Sequence, residues 1–159
     1  MQKELAKRGM KFFGLILAIV VIVFISSCSS MHNKLVTYSD EGFFVKYPNN
    51  LTVEKRTPVQ DFNIYTFRTK NKVVVSMYLG NAPSFDDKVK KGSNYEKGNI
   101  NGMPFEAYTL KNDNGSKRKD VLLTLSGKQD WPKFIHFWYS DLSVDLRKTA
   151  EEIIASTRR

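Results

Sequence analysis

The sequence predicts an α+β fold: an antiparallel sheet with a C-terminal amphipathic helix and a short middle helix packed on it. Short segments rich in β-branched and aromatic residues recur along the chain, separated by turns containing glycine, proline, asparagine or aspartate. An apolar stripe with helical spacing closes the chain, and a capping pattern marks a shorter helix near its middle. The 159 residues, 42% hydrophobic and 26% charged, suffice for one such domain.

Most of the predicted elements are strands. The odd-numbered residues of the segment 73–79 are all large and apolar, so they share one face of a strand. The segment 134–139 is apolar on both faces, as expected of a central strand that is covered on both sides. The predicted strands cover residues 35–38, 43–47, 51–55, 62–67, 73–79, 103–110, 120–126 and 134–139.

Two helices are predicted. In the first, residues 84–91, Ser84 suits the N-cap and two aspartates follow in the first turn. In the second, residues 143–157, Ser143 is the expected N-cap. Apolar residues recur there at intervals of three and four positions, and this stripe is expected to pack on the sheet. The stripe consists of Leu142, Leu146, Ala150, Ile153 and Ile154.

The amino terminus has the pattern of a bacterial signal sequence. A basic segment precedes Phe12–Ile25, a run of fourteen residues without a charge. A helix of that length rises about 21 Å, which is short of the roughly 30 Å hydrocarbon core of a bilayer. The run therefore fits the apolar part of a signal peptide better than a transmembrane helix. Ile25-Ser26-Ser27-Cys28 follows and resembles the lipobox of bacterial lipoproteins, in which the cysteine thiol takes the lipid.

This resemblance implies a lipoprotein signal peptide at residues 1–27, a lipidated tether at 28–34 and a single α+β domain at 35–159. Cys28 is the only cysteine, so no internal disulfide is possible, and lipidation accounts for its thiol. The short tether predicts a domain held close to a membrane. That membrane is the outer membrane, on its periplasmic face, in a Gram-negative host, and otherwise the outer face of the cell membrane. An uncleaved signal anchor is the alternative, and Met10 is an alternative start.

The chain is strongly basic. Its formal net charge is +9, and because residues 1–27 hold four cations and one carboxylate, removing their +3 leaves +6. Such a surface favours anionic partners: phospholipid head groups, lipopolysaccharide, teichoic acid or an acidic protein. Nucleic acid is not an expected partner outside the cytoplasm. Three consecutive cations, Lys117, Arg118 and Lys119, are expected at a hairpin tip, where no helix terminus accounts for them.

No catalytic site, metal site or cofactor is predicted. The two histidines, His32 and His136, are far apart in the sequence, and no metal-ligand spacing, nucleophile motif or phosphate-binding glycine loop is present. Partner-binding candidates are instead drawn from exposed cations and one aromatic residue. These are Lys117, Arg118, Lys119 and Trp131. The alternatives are a solvated turn for the three cations and a core or rim position for the tryptophan.

Three segments resemble PsbP-like and DcrB-type domains. Tyr38–Pro48 has their glycine, aromatic residues and Tyr-Pro ending, and Gly102–Tyr108 has a glycine, proline or aromatic, and alanine pattern typical of their middle strand. Ala150–Ser156 is similar to their last helix. The resemblance implies an α+β sandwich over residues 38–158. It departs after Pro48, where a tryptophan is common and this chain has asparagine.

Two functional hypotheses follow. The first is a non-enzymatic, membrane-anchored envelope lipoprotein that binds another envelope component. The second is an immunity or inhibitor lipoprotein that neutralises a toxin or hydrolase in the periplasm, because a basic domain suits an acidic target cleft. A toxin encoded by a neighbouring gene would favour the second. An enzyme is not expected, since the sequence offers no recognisable nucleophile, general base or metal set.

Overall fold

Nine strands and one helix make up the part of the chain that the computed structural model describes, residues 34–85, 94–111, 115–125, 127 and 131–159. The strands are β1 (Leu35–Asp40), β2 (Phe43–Pro48), β3 (Thr52–Val59), β4 (Phe62–Arg68), β5 (Val73–Gly80), β6 (Asn94–Ile100), β7 (Met103–Lys111), β8 (Lys117–Thr124) and β9 (Phe134–Ser140). The helix is α1 (Val144–Ala155).

Seven of these strands form one antiparallel sheet in the order β3-β4-β5-β9-β8-β7-β6. The last strand of the chain, β9, is inserted between β5 and β8 and therefore lies at the centre of the sheet. This position accounts for its apolar residues on both faces and confirms the prediction of a central strand for residues 134–139. Strands β1 and β2 form a separate antiparallel hairpin.

Two-residue turns set the register of two hairpins. Glu41–Gly42 joins β1 to β2, and Asn101–Gly102 joins β6 to β7. All four residues have a positive φ, between +47° and +88°. A positive φ at both turn positions matches the twist of the flanking strands. Glycine at the second position avoids the steric cost that a Cβ atom brings in this backbone conformation.

One face of the large sheet is covered by α1 and by the β1–β2 hairpin. Ile153 and Ile154 of the helix are buried against the sheet, and the Phe43 ring of the hairpin packs edge-on against Tyr65 at 5.2 Å. These side chains join the inward-facing residues of the sheet in one hydrophobic core. Residues 34–159 thereby form a compact unit with a core of their own.

The predicted C-terminal helix is confirmed. The Ser143 hydroxyl caps α1 by accepting a hydrogen bond from the Leu146 backbone N–H. After its last turn, the Ser156 hydroxyl accepts from the Lys46 N–H at 2.8 Å and donates to the Lys46 carbonyl, which ties the helix end to β2. The predicted stripe faces the core: Ala150, Ile153 and Ile154 are buried, and Leu142 and Leu146 are partly buried.

The predicted fold class is wrong in its balance of elements and in its middle helix. The described chain is mostly antiparallel sheet, and α1 is the one helix in it. Ser84 and Phe85, the first residues of the expected helix, are irregular, and the rest of that prediction lies outside the described residues. The Phe85 ring packs on Tyr108 at 4.8 Å and on His136 at 5.6 Å. These two ring contacts place Phe85 against the sheet.

The edge strand β6 was not predicted, because its sequence is polar and most of its residues are exposed. Its pairing with β7 supplies the regular structure. Gly98 lies under the neighbouring Phe105 ring, and a Cβ atom there would come within 2.6 Å of that ring. The aromatic ring covers the backbone at the glycine, an arrangement that stabilises glycine in strands.

Candidate functional site

The candidate residues from the sequence do not form one site. Lys117, Arg118 and Lys119 lie where β8 begins, whereas Trp131 precedes β9 at the opposite end of the sheet. Cys28 is outside the described residues, so its lipidation stays a prediction. No helix in the described ranges is long and apolar enough to cross a membrane.

The expectation that Lys117, Arg118 and Lys119 occupy a hairpin tip is wrong. All three residues belong to β8 and pair with residues 109–111 of β7. Successive side chains therefore point to opposite faces of the sheet, so the three cations do not form one basic loop. Pairing with β7 and β9 satisfies the backbone N–H and C=O groups of this polar segment, so it forms part of the strand despite its charges.

Arg118 belongs to a polar cluster on the sheet face opposite α1. Its Nε and Nη2 atoms donate hydrogen bonds of 2.7 Å to the two carboxylate oxygens of Asp120. His136 Nε2 lies 2.8 Å from Asp120 Oδ1. Asp120 is 0% exposed and His136 is 2% exposed. The cluster therefore holds a buried carboxylate between a guanidinium and an imidazole.

The electrostatics of this cluster favour the ionised carboxylate. Burial raises the pKa of Asp120, but the hydrogen bonds from His136 and Arg118 outweigh burial and hold that pKa below its ordinary value. The Phe85 ring covers His136 edge-on. Asp120 and His136 are both buried, and the hydrogen bond between them joins β8 to β9 within the sheet.

Lys119 points to the opposite face, beside α1. Its Nζ lies 3.7 Å from a carboxylate oxygen of Glu151 and 4.0 Å from one of Glu96. The Tyr139 hydroxyl donates to the same Glu151 at 2.9 Å, and burial together with this hydrogen bond raises the pKa of Tyr139. Lys119 is therefore engaged with carboxylates of this chain.

Trp131 stands between two clefts at its end of the sheet. The larger cleft, of about 600 Å³, is lined mainly by polar residues: Glu41, Lys55, Thr57, Gln60, Asp61, Asn63 and Trp131. The smaller, of about 470 Å³, is lined by Val59, Asp61, Phe62, Tyr78, Asn81, Ala82 and Trp131. The indole N–H donates to the Asp61 carbonyl at 2.8 Å, which fixes the ring between the clefts. The half-buried Trp131 is thus a rim residue that packs against the core and lines both clefts.

The polar wall of the larger cleft is held together by ion pairs and hydrogen bonds. Lys55 Nζ lies 2.7 Å from Asp40 and 3.3 Å from Glu41, and the Tyr65 hydroxyl donates to Asp40 at 3.0 Å. Burial raises the pKa of Asp40, but hydrogen bonds from Lys55 and Tyr65 outweigh that effect, so the pKa lies below its ordinary value. Beside them, Thr57 donates to the Asn63 side chain at 2.6 Å. The wall offers both charges and preset hydrogen-bonding groups.

Within the described residues, no group of three or more His, Cys, Asp or Glu side chains is placed to hold a metal ion. No protein-family profile matches the chain, and no curated protein sequence matches it significantly.

The Asp120–His136 pair and both clefts were not predicted from the sequence. The one local signal was Arg118 two residues before Asp120, which places the two side chains on the same face of a strand. The partner His136 comes from a strand that is a neighbour only because β9 is inserted beside β8.

Proposed function

We propose that this protein is a lipid-anchored, non-enzymatic envelope protein whose domain binds another envelope component at the end of the sheet that carries Trp131. The lipobox pattern ending at Cys28 supports the anchor. The observation that carries the binding site is the fixed indole of Trp131 between two clefts. Tryptophan is among the residues most enriched at energetic centres of protein interfaces, since it buries a large apolar area and keeps one hydrogen-bond donor.

The partner that suits this end is a protein with an apolar side chain beside polar ones. Phe62 and Val59 give the smaller cleft apolar walls, whereas the larger cleft presents the Lys55 ammonium and the exposed Gln60 amide. A partner side chain packed on the Trp131 ring would bury apolar surface. Neighbouring polar groups of the partner would be matched by the larger cleft.

The test is photo-crosslinking in intact cells of the host. A photoreactive amino acid replaces Gln60, an exposed residue that lines the larger cleft, or Asn71, an exposed residue in the β4–β5 turn at the other end of the sheet. We expect a discrete protein adduct from position 60 and not from position 71. Equal adducts at both positions, or none at position 60, would contradict the binding site.

Trp131→Ala tests how much the Trp131 side chain contributes to binding at this site. Loss of an aromatic hot spot weakens binding by 2 kcal/mol or more, which is about 30-fold, so the adduct at position 60 should disappear. Thr37→Ala is the control, because Thr37 is exposed and lies in β1, outside the lining of both clefts. A melting curve for each variant separates lost binding from lost folding. A folded Trp131→Ala protein that still gives the adduct would refute the role of this residue.

A further inference from the structure

We propose that the opposite end of the sheet docks onto anionic phospholipid head groups of the membrane that carries the anchor; this inference rests on the proposed lipidation. We name this surface the basic end. It is defined by five exposed lysines: Lys34, Lys70, Lys72, Lys111 and Lys117.

Hydrogen bonds bring the segments of the basic end together. The Lys72 ammonium donates to the Asp141 carbonyl at 2.6 Å, which joins the β4–β5 turn to the end of β9. The Asp141 N–H donates to the Lys117 carbonyl at 3.1 Å, which joins the end of β9 to the start of β8. Lys111 pairs with Lys117 across β7 and β8. Four of the five lysines thus lie on adjoining segments of one sheet end.

The proposed tether joins the domain at this same end. Lys34 immediately precedes β1, and its carbonyl accepts a hydrogen bond from the Asn49 N–H at 2.9 Å. From Asn49, which follows β2, the chain turns through Leu51 into β3. The first residue of β3 pairs with Arg68 at the basic end. Cys28 is six residues before Lys34 in the sequence, and six residues span at most about 20 Å. A lipid on Cys28 would therefore hold the basic end, not the Trp131 end, next to the bilayer.

Exposed apolar side chains accompany the lysines. Leu35 is 56% exposed, Val73 is 43% exposed and Val144 is 71% exposed. Leu35 opens β1, Val73 opens β5, and Val144 opens α1 three residues after Asp141, so all three border the basic end. Cations mixed with exposed aliphatic residues are typical of surfaces that lie in a membrane interface.

Two carboxylates at this end, Asp141 and Asp145, offset part of the charge of its five lysines. Asp141 Oδ1 accepts a hydrogen bond from the Lys117 backbone N–H, and Asp145 lies in the first turn of α1. Arg147 adds a sixth cation beside Lys117 and Asp141, with which it lines a small cleft. Lysine and arginine near an anionic membrane surface are each attracted by it, and the effect decays within a Debye length. The geometry leaves the Trp131 clefts facing away from the membrane.

The experiment measures partitioning of the mature chain, residues 28–159, without acyl groups, onto vesicles. Vesicles of phosphatidylglycerol mixed with phosphatidylcholine are compared with vesicles of phosphatidylcholine alone. The end variant carries Lys70→Gln, Lys111→Gln and Lys117→Gln. We expect stronger partitioning onto the anionic vesicles, and a loss of about fivefold per lysine, or roughly 100-fold for the end variant.

The control variant has the same net charge. It carries Arg56→Gln, Lys133→Gln and Arg158→Gln, three exposed cations away from the basic end. The end variant should lose at least about tenfold more partitioning than the control variant. A smaller difference, or equal partitioning of the unchanged chain onto both kinds of vesicle, overturns the proposal. Because the chain is unacylated, this outcome is independent of whether Cys28 is lipidated in cells.

Discussion

Replacing Asp120 with asparagine tests whether the buried cluster stabilises the centre of the sheet. The substitution keeps the size of the side chain and removes its charge. In the native protein, three hydrogen bonds of 2.7 to 2.8 Å converge on this carboxylate from Arg118 and His136. An amide in its place can accept at one atom only, so one of the nitrogen partners would face an N–H group.

The expected loss of stability follows from burial. Removing one partner of a buried ion pair costs about 3 to 5 kcal/mol. The side chain of Arg118 is 40% exposed, so water can solvate it after the substitution, and we expect the lower end of that range, about 3 kcal/mol. For a domain of this size, such a loss lowers Tm by roughly 10 to 20 °C.

The assay is thermal unfolding of the mature chain followed by circular dichroism at neutral and acidic pH. The pKa of Asp120 is lowered in the folded state, so its contribution is present above its unfolded pKa and is lost as pH falls through the folded value. The gap in Tm between wild type and Asp120→Asn should therefore be full at pH 7 and shrink in strong acid. The control, Glu152→Gln, removes an exposed carboxylate 4.0 Å from Lys148 and should shift the stability by less than about 0.5 kcal/mol. A Tm for Asp120→Asn that matches this control at pH 7 would refute the reasoning.

Three further predictions concern the anchor, the helix and a turn. Cys28→Ala should abolish incorporation of a labelled fatty acid, and label retained in the variant would exclude lipidation at this cysteine. Ile153→Ala, at a fully buried position, should cost about 2 to 5 kcal/mol in chemical denaturation, whereas Val144→Ala, at an exposed position, should cost almost nothing; equal midpoints would contradict the packing of α1. Gly102→Ala places a Cβ at a φ of +88° and should lower the free energy of unfolding by about 1 kcal/mol or more. An unchanged denaturation midpoint would contradict this prediction.

Local patterns were sufficient for most of the strands and for α1. The alternation in residues 73–79 and the stripe through Ile153 indicate which face of each element is buried. Both patterns relate residues that are only two to four positions apart. The N-cap at Ser143 is equally local, because its hydroxyl bonds a backbone group three residues ahead. The same kind of pattern failed at Ser84, which is irregular, and the next residue, Phe85, contacts the distant ring of Tyr108.

The functional surfaces depended on contacts between distant residues. Trp131 was a candidate from the sequence, but its clefts are made with Asp61, whose carbonyl is 70 residues away in the chain. The three cations from Lys117 to Lys119 looked like one patch, and strand pairing separates them by face. Lys119 is then matched with Glu96 and Glu151, and no local spacing signals either contact.

The sequence by itself determined the basic charge, the signal-like amino terminus with its one cysteine, and the antiparallel strands closed by an amphipathic helix. These properties depend on composition or on residues a few positions apart. Only the tertiary structure decided that β9 lies between β5 and β8, which brings His136 to Asp120, and that Lys34 and Trp131 occupy opposite ends of the sheet. The physical reason is that strand order is set by the joint burial of all strand faces. That free energy belongs to the assembled sheet and is not carried by any single segment of the chain.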